Sequence, residues 1–488
     1  MVGVDSAPLW LIKQFMASKK YDMDGFKLFE KENTLRVLQS TVPPISNPAW
    51  ATVYSGLTPK EHGLIDFTSI NKNYERKLAD YNTDELPPFW DLLAKTGHKS
   101  LVMTPVMVLE ESLSPNVDMI TGFPTPPRFS SKEVEVASKK FGFDGEPEIG
   151  NGLSTGKISI EEGSRAYLDA TKKRAELSKY LIDKNNYDLV FVCFSETDRI
   201  MHYTLTLGNL EGLIAPIFEE ISKFLIYLDE RIKRLEEEAV FILMSDHGAS
   251  ATHYKFIQNS WLINNGYATL KESVNTTPVA SNKDSISTKI KSKVVDAVVE
   301  NKYRRVIYSK LPRSLQKIGE GFIEESQNLE IQGKYIRISE SDLDMPKTRA
   351  FSSVSTGSTG MIWINDSRFS NPCVKSDEKE PLINEIIEKL GKESFIERAY
   401  KGSDYYVDSE KLIAPDIIFD LKEDYTSDFT GYLKDKFIVE PEISRRGDHT
   451  KEGIFGIKYY NAPKIPGKIE LKDIYPMVLK YFGVKDTK

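Results

Sequence analysis

IFEEISKFLIYLDERIKRLEEEAVFILMSDHG, residues 217–248, decides the fold. Its first half sets Ile217, Ile221, Phe224, Leu225, Leu228, Ile232 and Leu235 at a three-and-four spacing, so these side chains share one face of a helix. Its second half, Ala239–Met244, is apolar without alternation, which suits a strand buried on both faces. A polar turn ending in Gly248 closes the run. An amphipathic helix leading into a doubly buried strand is the unit from which parallel sheets are built.

The same pattern recurs outward from this point. Met1–Val4, Ser100–Met103 and Leu189–Phe194 are further candidate buried strands, each followed by polar or Gly-containing sequence, and Ile160 to about Ile182 predicts a helix leading into the third of them. The expected class is α/β, a three-layer sandwich with a mostly parallel central sheet and an inserted cap region. Residues 110–156, rich in Pro, Gly and Ser, predict a surface excursion, and the polar, partly helical stretch 271–344 predicts the cap. The expected division is therefore a core over 1–270, a cap over 271–344, and a return to the core over 345–488. Within the cap, Lys289–Lys317 carries nine basic residues against Asp296 and Glu300. That segment reads as a solvated helical face, or as a patch recruiting an anionic substrate or a membrane surface.

The 488 residues are 40% apolar and 28% charged, which provides for a sizeable core. The formal net charge of −7 argues against nucleic acid as the main partner. An acidic protein can still act on phosphate esters when metal ions supply local positive charge. Two cysteines, Cys193 and Cys373, argue against a disulfide framework or a zinc–thiolate site. No basic-then-apolar leader opens the chain and no run of about 18 apolar residues occurs, so the expectation is a cytoplasmic protein without a membrane span.

Chemistry-bearing residues cluster at the carboxyl ends of the predicted strands. Asp5 closes the first strand. Asp198 and His202 follow Leu189–Phe194 four residues apart, a spacing that lets both meet on one side of a helical turn and share a metal. Asp246 and His247 follow Ala239–Met244, with Gly248 allowing a sharp turn. Open α/β sheets bind ligands at this edge, and three carboxylates gathered there repel one another unless cations lie between them. Ser46, in Pro43-Pro44-Ile45-Ser46-Asn47-Pro48-Ala49-Trp50, precedes a predicted helix with Asn47 at its N-cap, Pro48 at its first position and Gly56 at its stop. A hydroxyl at a helix N-terminus favours an anion or a developing alkoxide, and a metal contact would make it a nucleophile. His449, in Gly447-Asp448-His449, occupies a loop of the same kind, whereas His62, His98 and His253 read as structural or surface residues.

These segments, in this order, resemble the type I phosphodiesterase/nucleotide pyrophosphatase family of the alkaline phosphatase superfamily. The resemblance runs through Gly3-Val4-Asp5, Ser46–Trp50 with Gly56, Glu61-His62-Gly63, Glu196–His202 and Ser245–Gly248. It continues through Lys347–Ala350, Ala414-Pro415-Asp416, Gly447-Asp448-His449 with Glu452-Gly453-Ile454, and Asp473-Ile474-Tyr475-Pro476. It implies an alkaline-phosphatase-like core and a two-metal hydrolase of phosphodiester or phosphoanhydride bonds acting through a phosphoseryl intermediate on Ser46. One metal would be held by Asp198, His202 and His449, and the other by Asp5, Asp246, His247 and the Ser46 oxygen. The ions implied are two Zn²⁺, with Mn²⁺ or iron as alternatives, and the partner implied is a small-molecule phosphate ester rather than a nucleic acid duplex. The chain departs from the family in carrying Ser where nucleotide pyrophosphatases usually carry Thr, and Phe67 where they place a phosphate-binding Asn. A phosphomonoesterase, a phosphomutase-like enzyme of the same superfamily, and a non-enzymatic metal-binding scaffold are the competing readings. A sulfatase is disfavoured because Trp50 stands where the formylglycine motif needs Arg.

Overall fold

The computed structural model describes residues 1–79, 81–123, 126–274, 336–354, 357–440, 446–462 and 469–485. In it, Val2–Val4 runs between Leu189–Phe194 and Ala239–Met244, parallel to both. Ser100–Met103 lies beside Leu189–Phe194, and Val117–Ile120 beside Ser100–Met103, again parallel. The opposite edge is antiparallel: Glu452–Tyr460 pairs with Ala239–Met244 on one side and Arg36–Gln39 on the other. The result is a seven-stranded, mostly parallel sheet in which the four apolar runs predicted as buried strands are adjacent.

Alternation along each strand divides the core. Val2, Val4, Leu101, Met103, Val192, Phe194 and Leu243 face one layer, where they meet Leu11, Phe15, Phe26, Leu177, Leu181, Ile217, Ile221 and Leu225. These last belong to the helices Leu9–Ala17, Asp24–Lys31, Ile160–Lys184 and Ala215–Leu235. On the other face Val102, Phe191, Cys193, Ile242 and Met244 meet Trp50, Val53, Tyr54, Trp90, Tyr475 and Val478. These come from the helices Ser46–Ser55, Phe89–Lys95 and Ile474–Tyr481. Each fully buried aliphatic or aromatic side chain stabilises the stack by about 1.5–3 kcal/mol, which fixes the three layers and hence the positions of the strand ends.

Other parts of the chain are arranged differently from the sequence expectation. The stretch read as a surface excursion contributes the edge strand Val117–Ile120 and the helix Lys132–Phe141, so part of it is woven into the sheet. Ala350–Phe351, Thr359–Ile364, Ile417–Leu421 and Ile396–Lys401 build, in that order, a second, antiparallel sheet. That sheet has its own core of Trp261, Tyr267, Phe351, Trp363, Ile383, Ile386 and Phe419. Most of the predicted cap, including the basic segment 289–317, falls outside the described residues. No described helix is long and apolar enough to cross a membrane.

The helix that carries Ser46 starts earlier than predicted. It spans Ser46–Ser55 with extended Ile45 at the N-cap, so Asn47 is not the cap. The Asn47 amide instead donates to the carbonyls of Asp66 and Ala79, tying the helix start to the chain that follows it. Gly56 ends the helix in the left-handed region, as expected of a helix stop.

Candidate metal centre

Gly248–Ile257 is the element that joins the two halves of the site. It leaves the sheet directly after His247, and Gly447–Thr450 pairs with it in antiparallel register, which puts His449 opposite Ala249. Gly447 must be glycine for this to happen. A Cβ there would lie 2.3 Å from the Met201 carbonyl oxygen, so a side chain would push the strand away from the helix Glu196–Thr204. All seven residues singled out in the sequence are brought to one place and buried: Asp5, Ser46, Asp198, His202, Asp246, His247 and His449.

Two adjoining groups form. In the first, the Ser46 hydroxyl lies 3.3 Å from Asp5 Oδ1 and 3.1 Å from His247 Nε2. His247 Nε2 is also 3.1 Å from Asp246 Oδ2 and 3.5 Å from Asp5 Oδ1. Trp50 Nε1 donates to Asp5 Oδ2, and the Ser6 amide to Asp246 Oδ1. In the second group, Asp198 Oδ1 is 3.1 Å from His449 Nε2 and 3.4 Å from His202 Nε2, and the two imidazole nitrogens are 3.2 Å apart. Asp198 and His202 sit one turn apart on Glu196–Thr204, the geometry their spacing predicts. The groups touch, since the rings of His247 and His449 have centroids 4.1 Å apart.

Backbone carbonyls set the tautomers. His202 Nδ1 faces the Gly447 carbonyl at 2.8 Å and His247 Nδ1 faces the Gly248 carbonyl at 3.0 Å. A carbonyl only accepts, so each Nδ1 carries a proton, and in a neutral imidazole Nε2 is then the atom left to face a cation. Among the described residues Asp246 Oδ2 is buried with no hydrogen-bond donor, opposite Nε2 of His247. A carboxylate oxygen and an imidazole nitrogen brought this close fit a shared cation that takes the place of the carboxyl proton. Asp and His together form the mixed oxygen–nitrogen donor set that divalent transition metals accept.

The electrostatics agree. Burial, with Asp246 and Asp198 nearby, pushes the Asp5 carboxyl well above its usual range. Burial raises Asp246 to about 8 and lowers His247 to about 4. Burial alone would raise Asp198 too, but His202 and His449 hold it well below the ordinary carboxylate range. Without cations the first group therefore keeps protons that positive charge would displace.

Three neighbours were not singled out in the sequence. Asp448 can present a carboxylate oxygen alongside His202 and His449, and its place next to His449 was the available signal. Arg199 and Glu146 form an ion pair at 3.1 Å beside Asp198, and Glu146 also accepts from the Ser195 hydroxyl. Nothing in the sequence around Glu146 marks it, because the fold alone carries it to the site.

The sequence model of a family described as type I phosphodiesterase / nucleotide pyrophosphatase matches residues 1–379. Phosphonoacetate hydrolase from Sinorhizobium meliloti 1021, solved with phosphonoacetate, is 12% identical with a TM-score of 0.57, covering 99% of this chain and 94% of that one. The same hydrolase solved with phosphonoformate gives 12% and 0.56 over the same shares of both chains. Human ectonucleotide pyrophosphatase / phosphodiesterase 5 is 14% identical with a TM-score of 0.46, covering 100% of this chain and 96% of that one. At these identities the two phosphonoacetate hydrolase structures attest the fold alone. No curated protein sequence matches.

Proposed function

The chain belongs to the type I phosphodiesterase/nucleotide pyrophosphatase family, and from that premise we propose that it is a two-metal phosphoryl hydrolase with Ser46 as nucleophile. The observation that carries the reading is the burial of the Ser46 hydroxyl within 3.3 Å of both Asp5 and His247, at the first residue of a helix. Asp5, Asp246 and His247 would hold one cation and Asp198, His202 and His449 the other; the family resemblance implies Zn²⁺, and the Asp/His donor set suits Mn²⁺ or iron as well. Bound there, the pair would neutralise the phosphoryl oxygens and lower the pKa of the serine hydroxyl.

The protein's own groups account for the rest. The backbone amides at the start of Ser46–Ser55 would set their positive dipole toward a phosphoryl group bonded to Ser46. Ser46 Oγ gives up its proton and forms a bond to phosphorus as the bond to the leaving oxygen breaks, the departing oxygen gaining a proton to leave as the alcohol, which gives a phosphoseryl ester. One water then cleaves that ester, returning Ser46 and releasing the phosphoryl group. Trp50 holds Asp5 through its indole N–H, and Gly447 and Gly248 hold His202 and His247 through their carbonyls, so the inward faces are fixed before substrate arrives.

The test is Ser46→Ala assayed with bis(p-nitrophenyl) phosphate and p-nitrophenyl phosphate alongside metal content. Loss of both activities, by about a thousandfold or more, with metal retained supports the proposal. Turnover at the unaltered rate removes Ser46 from the chemistry.

A further inference from the structure

Arg199 is placed unlike an ordinary surface arginine. It directly follows Asp198, and its side chain is 22% exposed. Its guanidinium lies 3.8 Å over the ring of Phe123, and Phe123 in turn meets Phe67 edge-on with centroids 6.2 Å apart. Nε is held by Glu146 at 3.1 Å, and Nη1 lies 3.5 Å from Asp198 Oδ2. Nη2 has no partner among the described residues. Arginine's planar fork is therefore stacked, clamped at one end, and left with donors to spare at the rim of the centre.

The chemistry that suits such a fork is a tetrahedral oxyanion. A phosphomonoester or a phosphonate presents three non-bridging oxygens to the site, whereas a phosphodiester presents two and carries an ester substituent in place of the third. The substituted oxygen cannot accept a charge-assisted hydrogen bond of comparable strength. Phe67 and Phe123 supply no polar group of their own beside it, so the spare donors of Arg199 are what this wall offers to a charged oxygen.

Resting on the two-metal reading above, we infer that Arg199 binds a phosphoryl oxygen of the substrate and favours dianionic monoesters and phosphonates over diester monoanions. Arg199→Met keeps the length of the side chain and removes the charge. The expected result is affinity for inorganic phosphate, read by calorimetry on metal-loaded protein, weaker by about tenfold or more. The ratio of kcat/KM for p-nitrophenyl phosphate to that for bis(p-nitrophenyl) phosphate should fall by a similar factor, with metal content unchanged. Unaltered phosphate affinity and an unaltered ratio in an active variant overturn the inference. If the unsubstituted protein cleaves neither ester, the two-metal reading itself fails, which is a separate outcome. A second measurement needs no substitution: phenylglyoxal labelling of Arg199, followed by peptide mass spectrometry, should be slowed by inorganic phosphate. Labelling that phosphate leaves unchanged also overturns the inference.

Discussion

His202 Nε2 and His449 Nε2 face each other at 3.2 Å although 247 residues separate them in the chain. The Gly447 carbonyl accepts from His202 Nδ1, which turns His202 Nε2 toward Asp198. The contact depends on how closely Gly447–Thr450 packs on Glu196–Thr204.

Gly447→Val tests that dependence. The new side chain meets the Met201 carbonyl, which is backbone and cannot swing aside. The expected cost is about 1–3 kcal/mol in chemical denaturation, together with weaker metal retention. Stability and metal content equal to the unsubstituted protein would show that the strand has slack.

Metal loading should release protons. Asp246 is raised to about 8 by burial, so the metal-free fold keeps this carboxyl largely protonated at about pH 7, and calorimetric titration with Zn²⁺ should show a buffer-dependent enthalpy. A buffer-independent enthalpy would contradict the buried pair.

The same carboxyl sets a pH dependence for the metal-free protein. A folded pKa above the unfolded value means the stabilisation is full below the unfolded value and is lost as pH rises through about 8. His247, lowered from its ordinary value near 6.5 to about 4, opposes this trend only below about pH 6.5 and is neutral in both states between about pH 7 and 9. Chelated protein should therefore lose about 1 kcal/mol of stability between about pH 7 and 9, a loss that bound metal removes. Equal denaturation midpoints at the two pH values in chelator would count against it.

Arg174 and Glu196 form a fully buried ion pair beneath the site, with Nη1 bonded to Oε2 at 3.0 Å and to the Cys193 carbonyl at 2.6 Å. Burial raises Glu196 to about 7, so this carboxyl takes up a proton readily, whereas a guanidinium does not give one up. Arg174→Met should cost about 3–5 kcal/mol at pH 8 and markedly less at pH 5, as Glu196 becomes neutral. The measurement is urea denaturation at both values, and a cost independent of pH would remove the pair from the account.

Four adjacent strands of the central sheet were readable because they are almost wholly apolar and because the long helices beside them show an unbroken periodicity. Asp198 and His202 were readable as a pair because helical spacing alone brings them together. The approach of His449 was not derivable from local pattern, since it depends on Gly248–Ile257 leaving the sheet and recruiting a partner some 200 residues later. Asn47 was misplaced as a cap because its composition fits that role, while the fold uses its amide to hold the carbonyls of Asp66 and Ala79. Val117–Ile120 was missed because the Pro- and Gly-rich sequence around it resembles loop. Glu146 reaches Arg199 only through that same excursion.

Metal stoichiometry is the most direct test of the paired centre. Protein reconstituted with excess Zn²⁺ and desalted should carry two ions per chain by elemental mass spectrometry, and the Asp198→Asn, His202→Ala double variant should carry one. Two ions in the double variant, or none in the unsubstituted protein, would contradict the assignment of these side chains to a pair of cations.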